Sequence, residues 1–216
     1  MKKNDNKNEE KEPIKIILLG ESGVGKTCII LRYLNNQFNQ NAESTIGTTF
    51  GVKELNRNNT IYTLNIWDTT GQEIYRSVTK LFVQGAKIVI LVYSIESKNS
   101  FESLDYWYKS INQICDENII LAIVANKTDL FDQTDDQNAF ISEEIGQKYA
   151  EEKKAIFKSV SAKIDKKGID TLFDQVLDAY IEKNGTTTDS NKEKNSITIN
   201  YEKNSKKGQK VKCCKN

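Results

Sequence analysis

Gly20-Glu21-Ser22-Gly23-Val24-Gly25-Lys26-Thr27 follows the apolar run Ile14 to Leu19 and opens a stretch, Gly25 to Asn35, with apolar residues at helical spacing. A glycine-rich turn between a strand and a helix lets backbone N–H groups converge on phosphate oxygens at the helix N-terminus. Ser22, Gly23, Val24, Gly25, Lys26, Thr27 and Cys28 would then line the phosphates. In such a loop the Lys26 ammonium reaches the β and γ oxygens, and the Thr27 hydroxyl can ligate Mg²⁺. The plain alternative is an ordinary glycine turn, and the rest of the chain weighs against it.

Outward from this loop, Ile88 to Tyr93, Ile119 to Ala125 and Ala155 to Val160 read as further buried strands. Short continuous apolar runs suit a parallel sheet covered on both faces. Ser100 to Cys115, Ser142 to Glu152 and Gly168 to Lys183 carry helical spacing, as in Leu172, Phe173, Val176, Leu177 and Tyr180. The alternation predicts an α/β domain over 14–183 with a mostly parallel, six-stranded sheet and helices on both faces. Phe50 to Leu55 and Ile61 to Trp67 flank the turn-rich Asn56-Arg57-Asn58-Asn59, which predicts a hairpin and one antiparallel edge strand.

The ends are different in kind. Residues 1–13 interleave Lys and Glu with almost nothing apolar, and are expected to be a disordered lead. Residues 184–216 lose apolar periodicity, and six lysines from Lys203 to Lys215 follow Glu202 without another acid. That composition predicts a flexible basic tail. The whole chain of 216 residues has a net charge of +1, which argues against a nucleic-acid binder. It has no His, so His-based acid–base chemistry and His metal sites are excluded. Four Cys do not make a disulfide framework, and the charged opening is unlike a secretion signal, so an intracellular protein is expected. The longest apolar run is far short of the ~20 residues of a membrane-spanning helix. Cys28 and Cys115 fall in predicted helices and are assigned to packing.

Three more motifs each end a predicted strand. Asp68-Thr69-Thr70-Gly71-Gln72-Glu73 places a carboxylate where it can hold a metal through water, and the Gly71 N–H where it can meet a γ-phosphate. Asn126-Lys127-Thr128-Asp129 places a carboxylate suited to accept both guanine N1–H and N2–H₂, a donor pair that adenine lacks. Ser161-Ala162-Lys163 offers a backbone N–H to guanine O6. Four such motifs in this order, all at strand carboxyl ends, outweigh the plain glycine turn.

Over about Ile14 to Lys183 these residues resemble the small GTPases of the Ras superfamily, and Thr45-Ile46-Gly47, Trp67-Asp68-Thr69, Gln84-Gly85-Ala86, Leu91-Val92-Tyr93 and the terminal Cys213-Cys214 are similar to Rab signatures. The resemblance implies a P-loop GTPase fold with GTP or GDP and Mg²⁺ as ligands. It implies that Thr45 ligates Mg²⁺ and meets the γ-phosphate, that Phe38 packs against guanine, and that Gln72 orients the attacking water while Lys26 stabilises the developing charge. Metal ligands would be Thr27, Thr45 and Asp68.

Only three arginines occur, Arg32, Arg57 and Arg76, and none lies in the presumed first switch from Gln37 to Thr48. Unaided hydrolysis is then expected on the order of 10⁻⁴ to 10⁻³ per second, with an activating protein supplying the missing group. Thr70 departs from the family, which has Ala there, and Gly47-Thr48-Thr49-Phe50 and Phe82-Val83-Gln84 are also unusual. The Thr70 hydroxyl either bonds locally with little effect, or alters the cycle by competing with the catalytic water, perturbing Gln72 or accepting the phosphoryl group.

The resemblance further implies that Phe50, Trp67 and Phe82 form an aromatic trio that reads effectors, the alternative being core packing. Cys213 and Cys214 would each receive a geranylgeranyl group, and two lipids beside a basic tail anchor a protein stably. Implied partners are an exchange factor, a GTPase-activating protein, a prenylation escort, a GDP-dissociation inhibitor and effectors of vesicle trafficking. The expected place is the cytoplasmic face of an intracellular membrane, cycling with the cytosol, as a monomer. Two other readings stay open at this stage, a nucleotide-dependent binding module that no longer hydrolyses and a P-loop kinase or ATPase.

Overall fold

The computed structural model describes residues 12–39, 49–69, 81–115, 118–133 and 140–185. Along the chain these form β1 (Ile14–Leu19), α1 (Lys26–Asn35), β2 (Thr49–Arg57), β3 (Thr60–Asp68), β4 (Ile88–Ser94), α2 (Lys98–Glu102), α3 (Leu104–Asn112), β5 (Ile120–Asn126), a 3₁₀ turn (Thr128–Gln133), α4 (Glu143–Glu152), β6 (Ile156–Ser159) and α5 (Lys166–Gly185). The six strands make one sheet in the order β2-β3-β1-β4-β5-β6. Five run parallel, and β2 pairs antiparallel with β3 from Thr49 opposite Asp68 to Arg57 opposite Thr60. The expected fold class is therefore the observed one.

Strand alternation sorts the core into two layers. Ile16 and Leu18 of β1, Leu64 and Ile66 of β3, and Ile90 and Val92 of β4 face Ile29 and Tyr33 of α1 and Leu172, Phe173 and Val176 of α5. On the other face, Ile17, Leu19, Leu91 and Ile123 meet Leu104, Trp107 and Ile111 of α3 and Ala150 of α4. All seven residues of β4 are buried, as befits the middle of a sheet covered on both sides.

The hairpin turn is tighter than its four polar residues suggest. Arg57 and Thr60 still pair, so the loop is Asn58-Asn59, with φ of 51° and 61°. Those positive angles are the signature of a type I′ turn, whose twist matches the strands it joins. The single helix expected over Ser100 to Cys115 is observed as two, α2 and α3, separated at Ser103. Ser100 Oγ donates to Ser97 O at 2.7 Å and Ser103 Oγ to Ser100 O at 2.9 Å, local bonds that compete with a regular ladder. α5 extends two residues beyond each end of the expected Gly168 to Lys183. Among the described residues no helix is long and apolar enough to cross a membrane.

Candidate functional site

The five parallel strands bring their carboxyl ends to one edge, where an open α/β sheet has its crevice. β1 delivers the glycine-rich loop there. Gly20 has φ of 141°, and a Cβ on it would sit 2.1 Å from Val92 O; Gly25 has φ of 96°, and its Cβ would sit 2.3 Å from Asn126 Nδ2. Both positions therefore require glycine on conformation and on space. Gly25 also caps α1, and the helix starts with neither a side-chain cap nor an acid in its first turn, an arrangement suited to an anion.

Lys26 is only 5% exposed, and its Nζ donates to Gly20 O and Glu21 O, each at 2.8 Å. Burial lowers its pKa to about 8, against the opposing pull of Asp68 and Glu21. A buried cation is costly unless countercharged, and a phosphate chain would supply that charge. Beside it, Thr27 Oγ1 donates to Asp68 Oδ2 at 2.7 Å. These two oxygens, from α1 and the end of β3, are hard donors of the kind Mg²⁺ takes. Thr69 Oγ1 donates to Leu18 O at 2.6 Å and fixes the strand end next to β1. Cys28 Sγ is 3.8 Å from Asn39 O, burial and then Asp68 raise its thiol pKa, and its side chain packs against the core layer of α1 and α5.

The second half of the crevice is built around Asn126. Its side chain is buried, with Nδ2 donating to Val24 O at 2.8 Å and Oδ1 accepting from Ala162 N–H at 3.1 Å. One amide thus joins the phosphate loop to the Ser161-Ala162-Lys163 segment. Ser161 Oγ donates to Asp129 Oδ1 at 2.5 Å and accepts from Lys163 N–H at 3.2 Å. Lys163 Nζ lies 3.9 Å from Asp129 Oδ2. Lys127 takes φ of 68°, and its Nζ pairs with Glu96 Oε1 at 2.6 Å. Four segments distant in sequence are thus locked together, as a phosphate-and-base site requires.

The Ras family model matches residues 15–182. Ras-related protein RabC of Dictyostelium discoideum is 36% identical over 208 residues, covering 95% of this chain and 100% of that protein. Rab-18 of Caenorhabditis elegans is 36% identical over 170 residues, 78% of this chain and 80% of its own length, and Rab-10 of the same organism is 33% identical over 200 residues, 93% and 95%. The chain belongs to the Rab family of Ras-superfamily small GTPases. As a Rab-family member it is a GTPase, which binds GTP and GDP and hydrolyses GTP to GDP and phosphate.

In this Rab chain, both described arginines are engaged with segments other than the glycine-rich loop. Arg57 forms ion pairs with Asp174 and Asp178 of α5. Arg32 donates to Ala162 O at 2.8 Å and Lys163 O at 2.7 Å, and its guanidinium lies 6.0 Å from the centre of the Phe38 ring. Phe38 itself is half-buried against the α1 and α5 core.

The aromatic trio has mixed exposure. Phe50 is 60% exposed and stacks on Trp67 across the hairpin with ring centroids 5.3 Å apart, whereas Trp67 and Phe82 are half-buried against the second core layer. Core packing and surface display both describe this Rab trio in part. Thr45, Thr70, Gly71, Gln72, Cys213 and Cys214 lie outside the described residues. Sequence motifs missed Arg32 and Glu96, whose roles come from contacts with residues far along the chain.

Proposed function

We propose that this Rab-family chain is a slow GTP/GDP switch, attached by a lipidated tail to an intracellular membrane, which recruits effectors in vesicle trafficking while GTP-bound. The observation that carries it is Asn126 holding the phosphate loop and the Ala162 segment together, with Asp129 beside them. Asp129 accepts from the guanine N1–H and N2–H₂, and a backbone N–H of the Ser161-Ala162-Lys163 segment donates to O6. Loop N–H groups and Lys26 hold the phosphates and stabilise charge on the leaving oxygens. Thr27, Asp68 and Thr45 would hold Mg²⁺, which neutralises charge on the β and γ oxygens when bound. Gln72 orients the water for in-line attack, and the Gly71 N–H and Thr45 sense the γ-phosphate. With no arginine between Gln37 and Thr48, and Arg32 and Arg57 committed elsewhere, an activating protein supplies the group that accelerates hydrolysis.

Cys213 and Cys214 carry the lipids, delivered with the help of an escort, and a GDP-dissociation inhibitor returns the protein to the cytosol. An exchange factor reloads GTP, and effectors bind the surface that includes Phe50, Trp67 and Phe82. The decisive experiment is a single-turnover assay on GTP-loaded protein with Mg²⁺, following bound nucleotide and phosphate with ATP as competitor. Slow conversion to GDP that ATP does not disturb supports the switch. Stable GTP with no phosphate release would make the protein a binding module, and displacement by ATP would overturn the guanine assignment. Gln72→Leu should slow turnover at least about ten-fold without weakening GDP binding, because only the water loses its positioning.

A further inference from the structure

Arg32 is placed by α1 on the base side of the crevice, where its fork spans two segments. Nε donates to Ala162 O at 2.8 Å and Nη2 to Lys163 O at 2.7 Å, while Nη1 donates to Asn36 O and Oδ1, each at 3.1 Å. A peptide unit is planar and trans, so fixing the Ala162 carbonyl on one side fixes the Lys163 N–H on the other. That N–H donates to Ser161 Oγ, whose own proton goes to Asp129 Oδ1 at 2.5 Å. A continuous set of hydrogen bonds therefore runs from the α1 guanidinium through one peptide plane and one hydroxyl to Asp129.

We infer that Arg32 is a positioning residue for guanine selectivity, acting through the Ala162–Lys163 peptide and Ser161 to aim Asp129 at the 2-amino edge of the base. The inference rests on the guanine site proposed above. Two planar donors on adjacent carbonyls are a task for a guanidinium; a lysine ammonium brings the charge without the fork. The partners of Arg32 are Ala162, Lys163, Asn36 and the Phe38 ring, on the base side and not in the glycine-rich loop, so its loss should weaken the part of affinity that comes from reading the base and leave the phosphate part.

The test compares Arg32→Lys and Arg32→Ala with the unaltered full chain. GDP, IDP and ADP affinities are measured with Mg²⁺, together with thermal unfolding of each variant. IDP differs from GDP by the missing 2-amino group, so the GDP-to-IDP ratio reports the Asp129 contact. In both variants this ratio should fall by at least about five-fold, the scale of a misaligned charge-assisted hydrogen bond. IDP affinity should change less than GDP affinity. Equal losses for GDP and IDP, or an unchanged ratio in Arg32→Lys, would overturn the inference and leave Arg32 as a fold-stabilising residue. If the unaltered chain itself does not prefer GDP to ADP and IDP, the guanine site fails instead. Should Arg32→Ala not fold, Arg32→Lys alone decides.

Discussion

Asn126 does at residue scale what no backbone element does, since its one amide satisfies the Val24 carbonyl and the Ala162 N–H at once. Asn126→Ala leaves two polar groups without their partner in a buried place, each costing about 1–3 kcal/mol. GDP dissociation should accelerate at least about ten-fold, with a lower unfolding temperature, as stopped-flow release and calorimetry would show. Asn126→Asp should retain part of the effect, because an oxygen still faces Ala162 N–H while Val24 O loses its donor. The identity of Asn126 and Asp129 was legible because a short motif at a strand end carries them. Arg32 was not, because its partners Ala162 and Lys163 stand 130 and 131 positions away and no local spacing marks it. Asp129 was expected to meet guanine directly, but nothing local foretold that Ser161 would hold it.

Elements were read best where one physical signal dominated. The period of apolar residues located all six strands to within a residue or two, since burial on both faces leaves no other composition for β4 and β5. The hairpin was also legible, although its loop shrank to Asn58-Asn59. Both take positive φ, so Asn59→Gly should leave stability unchanged or raise it slightly, whereas Asn59→Val should lower it by about 1–2 kcal/mol in urea unfolding. The broken helix was not legible, because serine hydroxyls that bond to nearby carbonyls look like any other polar face in a sequence. Between α1 and α5 the Tyr33 and Phe173 rings stack with centroids 3.7 Å apart, and Phe173 is fully buried. Phe173→Ala should cost about 3–5 kcal/mol and report on the packing of these two helices. The ion pairs of Arg57 are partly exposed, and Arg57→Ala should matter far less.

At the scale of the whole molecule, the proposed lipids on Cys213 and Cys214 would confine the GTPase to a membrane surface. Replacing Cys213 and Cys214 together with Ser should move the lipid-processed protein from vesicles to the soluble fraction in a flotation assay, and one Cys alone should give partial, reversible binding. GTP turnover by the domain should not change. The fully buried β4 has a different consequence, which falls on synthesis. Its neighbours in the sheet are β1, already made, and β5, which follows about thirty residues later. For roughly 2–6 s of translation, at ordinary elongation speeds, Ile-Val-Ile-Leu-Val-Tyr-Ser has one edge unpaired and no charge to repel a stranger. Nascent chains stalled so that β4 has left the ribosome and β5 has not should therefore be the ones that aggregate and that chaperones hold.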